Sequence, residues 1–252
     1  MIFRRRKKQE TEVVPEEDQI SPEASDDEDT PEEVDGGQGA SPPEEEPDLD
    51  ALDAGEWRAD GPWDISEIDL DAEEPVEGQP RIDLGSMLVT GFPGAELRLQ
   101  VSEEAQQVVS VMLISGDSAL ELGAYAAPRT GGFWPELREE LIESATEAGG
   151  SAAVVEGPFG VELRRLLPVT TPDGEQGYQP SRMWVVEGPR WLLRGIIYGQ
   201  AALDDGVAGP VEPLITAFRQ VVVRRDEQAM APGDLMPLAL PQDLTAESED
   251  EA

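Results

Sequence analysis

The sequence predicts an α+β protein, a mainly antiparallel sheet with two long helices packed on it. Apolar runs of strand length recur with turns between them too short for parallel crossovers, and two stretches carry apolar residues at helical spacing. The third observation is Ser181 to Gly199, the most hydrophobic and aromatic part of the chain. Its runs Met183 to Val186 and Trp191 to Tyr198 flank Glu187-Gly188-Pro189-Arg190, which reads as a hairpin whose second strand is buried on both faces.

Composition sets the limits of the folded part. From Gln9 to about Pro80 the chain is rich in Glu, Asp, Pro and Gly and poor in aliphatic residues. Such a segment buries too little apolar surface to offset the entropy of ordering it. Residues 1–80 therefore read as a disordered acidic tail, 81–241 as a single domain and 242–252 as a second acidic tail. One piece of the tail departs from this background. Trp57 and Trp63 flank a Gly-Pro turn, followed by Ile65, Ile68 and Leu70 among acids. The segment 57–70 is expected to dock, on its own domain or on a partner.

Within the domain, Ile82 to Val89 is a short strand and Gly91-Phe92-Pro93-Gly94 a turn. Glu96 to Val101 alternates strictly, as a strand with one wet face does. Val108 to Ile114 and Ala119 to Ala126 flank Ser115-Gly116-Asp117-Ser118 and should pair as a hairpin. Pro135 suits a first helical turn; Trp134, Leu137, Leu141 and Ala145 recur at helical spacing, and Gly149-Gly150 stops the helix predicted over 134–148. Ala152 to Val155 and Val161 to Val169 follow as strands. Glu162, Arg164 and Arg165 mark the latter as an edge or half-exposed strand. Val211 to Gln220 is the second helix, Val221 to Val223 a last strand, and Pro232 to Pro241 a surface segment.

The residue types that are absent exclude much chemistry. The 252 residues include no Cys and no His, which removes thiolate nucleophiles, His bases, Cys or His metal ligands and the usual triads. Both lysines, Lys7 and Lys8, lie near the start, so the domain has none for a phosphate loop or Schiff base. No motif calls for a cofactor. Ser110, Ser115 and Ser118 have no base to activate them. The pairs Glu103-Glu104, Glu139-Glu140 and Asp204-Asp205 resemble Mg²⁺ ligands only in type, because adjacent acids point to different sides of an element.

Charge points to partners instead. Residues 1–80 carry 28 acidic and 6 basic side chains, net −22, and the whole chain is at −37. Duplex nucleic acid, bound mainly through basic groups on phosphates, is not expected as a direct partner. A protein partner, basic in character, is expected, with a solvating, aggregation-resisting tail as the other reading of the charge. No run approaches the roughly 18 apolar residues of a membrane span. Met1 to Lys8 has no apolar region after its basic residues, so a cytoplasmic location is expected. Arg4 to Lys8 offer a weak contact with an anionic lipid surface.

Arginine is the domain's only base. Arg129 with the amides of Thr130 to Gly132 forms a candidate anion cradle at a helix start, and Arg182, Arg190 and Arg194 cluster about the hairpin. Trp134, Trp184, Trp191 and Tyr198 read as core or as the lining of a pocket, and arginine with aromatics is also what protein interfaces favour. The candidate binding set is Arg129, Trp134, Arg190, Trp191 and Arg194, with Trp57 and Trp63 as docking residues.

The segments GPWD, RIDLGSMLV, GDSALELGAYAAPRTGGFWPELREEL and GPRWLLRGIIYG, in this order after an acidic tail, resemble an uncharacterised actinobacterial family defined only as a domain of unknown function. The resemblance covers Gly61 to Pro241. Its genes often lie near that for dUTPase, which implies a link to nucleotide metabolism and the alternative of a binder or enzyme for nucleotides or other anionic small molecules. It implies no site residues. The order of elements is also similar to the α/β sandwich of PsbP-like proteins.

Overall fold

In a computed structural model, which describes residues 47–70, 79, 81–102, 107–171 and 173–239, a seven-stranded antiparallel sheet divides the core in two. The described chain opens with α1 (Leu49–Asp53), capped by Asp48, whose carboxylate accepts the Ala51 N–H at 3.1 Å. β1 (Trp63–Asp64) follows a cis Gly61–Pro62 bond. The single strand expected over 82–89 is two, β2 (Arg81–Asp83) and β3 (Met87–Thr90). Gly85, at φ +82°, turns the chain between them and the Leu84 N–H bonds the Met87 carbonyl.

β4 (Glu96–Ser102) alternates exposed and half-buried side chains from Glu96 to Gln100 as expected, but Val101, past a register shift in the pairing with β5, is exposed. β5 (Gln107–Ser115) and β6 (Ser118–Ala126) pair across Gly116-Asp117. Gly116 takes φ +55°, the first position of a hairpin turn that favours glycine. α2 (Phe133–Glu147) is the helix predicted from periodicity, shifted by one residue. β7 (Ser151–Gly157), β8 (Gly160–Thr170), β9 (Gln176–Gly188) and β10 (Trp191–Gly199) form a meander. Then come α3 (Gln200–Leu203), α4 (Glu212–Arg219) and β11 (Val222–Val223). Of the two long helices expected, only α2 is long; α4 has 8 residues.

The large sheet runs β4-β5-β6-β10-β9-β8-β7. A small sheet, β1-β11-β3-β2, has one parallel pair, Trp63 opposite Val222 and Asp64 opposite Val223. β10 is central and flanked on both sides, which is why its sequence is apolar almost throughout. Trp191, Leu193 and Ile197 face one core, with α4, the small sheet, Met236 and Leu238. Leu192 and Ile196 face the other, beneath Trp134, Leu137 and Leu141 of α2. α4 buries Leu214, Ile215, Ala217 and Phe218, each of the larger ones worth about 1.5–3 kcal/mol of transfer free energy. Gly195 admits this approach, since a Cβ there would lie 2.8 Å from the Phe218 ring.

Three expectations are corrected. Folded structure begins well before residue 81, because residues 48–70 carry α1 and β1; the remainder of both expected tails lies outside the described residues. Second, β8 is not an edge, being flanked by β7 and β9, and Glu162 within it is 1% exposed; from Arg164 onward the strand is half-exposed, as the other expectation had it. Third, the segment after Pro232 is not merely superficial. Ala126 N–H bonds the Asp234 carbonyl and Met236 N–H the Ala124 carbonyl, completing the side of β6 that β5 leaves unpaired beyond Leu122. Met236 and Leu238 are buried as a result.

Candidate functional site

The two tryptophans of the hairpin are core, and Tyr198 is half-buried. Trp191 is fully buried and donates its indole N–H to Asp64 Oδ2 at 2.7 Å, with the Arg58 guanidinium over its ring at 5.3 Å. Trp184 packs edge-on to Phe218 and tilted against Phe159. Asp64 is itself buried. Burial works against its charge, but the two hydrogen bonds from Ser66, the Trp191 N–H and the nearby Arg58 together hold its carboxyl below the usual range. Arg58 makes a bidentate pair with Glu67 at 2.8 Å for both bonds, and that hydrogen bonding keeps the Glu67 carboxyl low as well. Trp63 sits in β1, its N–H on the Val221 carbonyl. The segment carrying Trp57 and Trp63 is thus laid against the chain's own sheet.

The proposed anion cradle at the start of α2 already holds a carboxylate. Glu187 of β9 accepts the Trp134 backbone N–H at 2.6 Å, taking one of the free amides that make a helix start attractive to anions. Arg129 is exposed and makes no ion pair among the described residues. Arg190 occupies the second position of the Pro189-Arg190 turn at φ +65°, and its carbonyl accepts the Ala127 N–H. It serves the hairpin. Among the described residues Arg129, Arg190 and Arg194 share no hydrogen-bond or ion-pair partner.

What does converge is a cleft of about 320 Å³ between α1, the start of α2 and the β7–β8 and β9–β10 turns. Its apolar lining includes Leu52, Trp57, Trp134, Phe159, Val161 and Val185, with Asp53, Arg58 and Glu187 as its charged residues. The α1 wall is held by one ion pair. Arg138 of α2 donates two hydrogen bonds to Asp53, both 2.8 Å, with the side chains 7% and 19% exposed. Trp57 donates its indole N–H to the Leu52 carbonyl at 2.7 Å and lies on Gly160, where a Cβ would come within 2.6 Å of the ring. The indole N–H of Trp134 is buried with no acceptor. A second hollow, about 360 Å³, lies under residues 224–239; its Arg224 and Arg225 are paired with Asp83 and Asp226.

Sequence reasoning missed the most deeply buried charges. Arg182 grips Glu162 at 2.8 and 2.9 Å and donates to the carbonyls of Asp204 and Gly206, while Trp184 N–H and Arg164 Nε also donate to Glu162. Arg164 bridges on to Asp205. With four donors on it, Glu162 has no capacity left for a substrate proton or a metal; the network ties the loop after α3 to the sheet. Its signal was the spacing Glu162-x-Arg164 on one strand and Arg182-x-Trp184 on the next; the first read as an edge or half-exposed strand, and the second was not connected with it.

Arg194 lies on the α2 side of β10, beyond the helix. Its guanidinium is 4.9 Å from the Tyr125 ring and 3.8 Å from Glu121 Oε1. Tyr198 donates to Glu121 Oε2 at 3.1 Å; burial, then the adjacent carboxylate, pushes its phenol up to about 12. The other candidates are engaged or exposed. Ser110 donates to Gln100 and Ser118 accepts from Ala201 N–H, Glu139 and Glu140 are exposed, and Glu103-Glu104 lie outside the described residues. Among the described residues no group of three acidic side chains is placed to hold a metal.

The sequence model of a family described as protein of unknown function (DUF3710) matches residues 61–247, and the chain belongs to that family. A search of curated proteins returned no match. Among solved structures, the solution structure of cyanobacterial PsbP (CyanoP) from Synechocystis sp. PCC 6803 is similar over 59% of this chain and 94% of that one, with 11% identity and a TM-score of 0.34.

Proposed function

We propose that this member of the DUF3710 family is a protein-interaction module, and that the Trp57–Trp134–Phe159 cleft receives one apolar side chain of a basic partner segment. The observation that carries this reading is the cleft's construction. One wall is a short arm held by a single ion pair and a tryptophan, and an orphan N–H belongs to another wall. A buried donor without an acceptor costs about 1–3 kcal/mol, and a peptide carbonyl entering beside an apolar anchor would remove that cost. Interfaces concentrate binding at such tryptophan-lined pockets. Basic flanks on the partner follow from a chain at net −37 and from Asp53 and Glu187 in the lining. In this reading the acidic segment before residue 47 steers basic partners and keeps the protein dispersed, and the protein works in the cytoplasm.

Selection of a random peptide library against the full chain tests the proposal. Enriched peptides are expected to share one apolar anchor next to Arg or Lys. They should lose at least about tenfold in affinity for Leu52→Glu, which places a charge in the cleft, and none for Arg98→Ala, whose guanidinium pairs with Glu96 on β4. No enrichment, or binding that ignores Leu52→Glu, would overturn it.

A further inference from the structure

The geometry points to an oxyanion-binding site, for a carboxylate or phosphate group, between Arg165 and Arg194 on the α2 side of the large sheet. Strand alternation puts the residues there. Arg165 lies two residues from Leu163 on β8, and Arg194 and Tyr198 lie two from Ile196 on β10. Leu163 and Ile196 both belong to the core beneath α2, so these side chains share its face. Glu121 and Tyr125 of β6 join them, Glu121 standing opposite Ile196 and Gly123 opposite Arg194.

The charge balance here differs from that of the closely paired arginines. Arg58, Arg98, Arg138, Arg164, Arg182, Arg224 and Arg225 each lie within 3 Å of a carboxylate oxygen. Arg165 has no hydrogen bond or ion pair among the described residues, and Arg194 approaches only Glu121, at 3.8 Å. The Nε atoms of both are sealed from solvent without an acceptor. Two guanidiniums therefore share one carboxylate, which is also occupied by the Tyr198 hydroxyl. A cation removed from water needs a counter-charge and acceptors for its N–H groups. One monoanionic oxyanion supplies both, and a planar guanidinium fork matches its paired oxygens. Burial pulls the Arg165 guanidinium down from its ordinary value, which agrees with an uncompensated charge. This site does not rest on the cleft; it lies on different residues.

The test follows the arginine Nε–H resonances of the full-length protein, labelled with ¹⁵N-arginine, as inorganic phosphate or acetate is added at constant ionic strength against chloride. Saturable shifts of the Arg165 and Arg194 signals, with Arg98 unmoved, are expected. Saturation by phosphate alone assigns a phosphoryl group, and saturation by acetate assigns a carboxylate. Arg165→Gln should weaken binding at least about tenfold. Glu121→Gln, which removes the competing carboxylate and leaves both arginines, should strengthen it. Shifts that grow linearly with salt, that move Arg98 equally, or that persist unchanged in Arg165→Gln would overturn the site, as would weaker binding in Glu121→Gln.

Discussion

Glu162 and Asp64 are two buried carboxylates kept charged by different means, and each has its own consequence. Glu162 is held by Arg182, Arg164 and Trp184. Replacing it with Gln leaves Arg182, 1% exposed, without its counter-charge. Loss of one partner of such a pair costs about 3–5 kcal/mol, so the urea midpoint of Glu162→Gln should fall accordingly with an unchanged slope. For Asp64 and Glu67 the folded carboxyl values lie below the ordinary values of 3.8 and 4.5. Groups depressed on folding stabilise the native state fully above their unfolded values and lose that contribution as pH falls through their folded ones. Stability should therefore drop from about pH 4.5 downward, and Asp64→Asn should flatten this acid limb in a pH series of urea melts. Glu67 is partly exposed and contributes less. Arg165 behaves oppositely to Glu162. With only a carboxylate shared with Arg194 and no hydrogen bond to it, Arg165→Met should leave the melting temperature unchanged or raise it, whereas Arg182→Met should lower it.

Among elements, those defined by local pattern were legible and those defined by distant partners were not. The strict alternation of Glu96 to Val101, the four-residue turn at Ser115 to Ser118 and the helical spacing from Trp134 to Ala145 each depend on neighbours in sequence. All three stand in the structure close to where they were predicted. β11 was read from the β-branched run Val221 to Val223, but β1, also two residues long, becomes a strand only by pairing with it across some 160 residues. No periodicity can show in two residues. The helix α1 was hidden by composition, because an average over 9–80 is dominated by acids and conceals Leu49 and Leu52, although Trp57 and Trp63 did stand out. As for the candidate site, Trp57 and Trp134 were singled out as residues but not as neighbours. Phe159, Arg138 and Arg165 carried no signal that sequence spacing exposes. The arm's attachment is open to test: Asp53→Asn should free residues 48–58, read as faster amide exchange there than in α2. At the α4 contact, Gly195→Ala should cost about 1–3 kcal/mol, because the new methyl meets the Phe218 ring.

Taken whole, the molecule places one sheet between two unlike layers. On one face the small sheet, α4 and the Met236–Leu238 segment close a continuous core. On the other, α2 covers β7, β8 and β9, leaving Arg194, Tyr125 and Tyr198 beyond it half-buried. Among the described residues no helix is long and apolar enough to cross a membrane. Deleting residues 1–70 removes Asp64 from Trp191, Asp53 from Arg138 and β1 from the small sheet, and should lower the melting temperature by roughly 10 °C or more.

The interaction proposal is tested most directly by placing a photo-crosslinking benzoylphenylalanine at position 52, in the cleft, and irradiating the protein with a selected peptide. The account expects a crosslink to the peptide's apolar anchor, located by mass spectrometry and missing when the same group stands at position 98. Equal crosslinking from both positions, or none from position 52 to a peptide that binds, would contradict it.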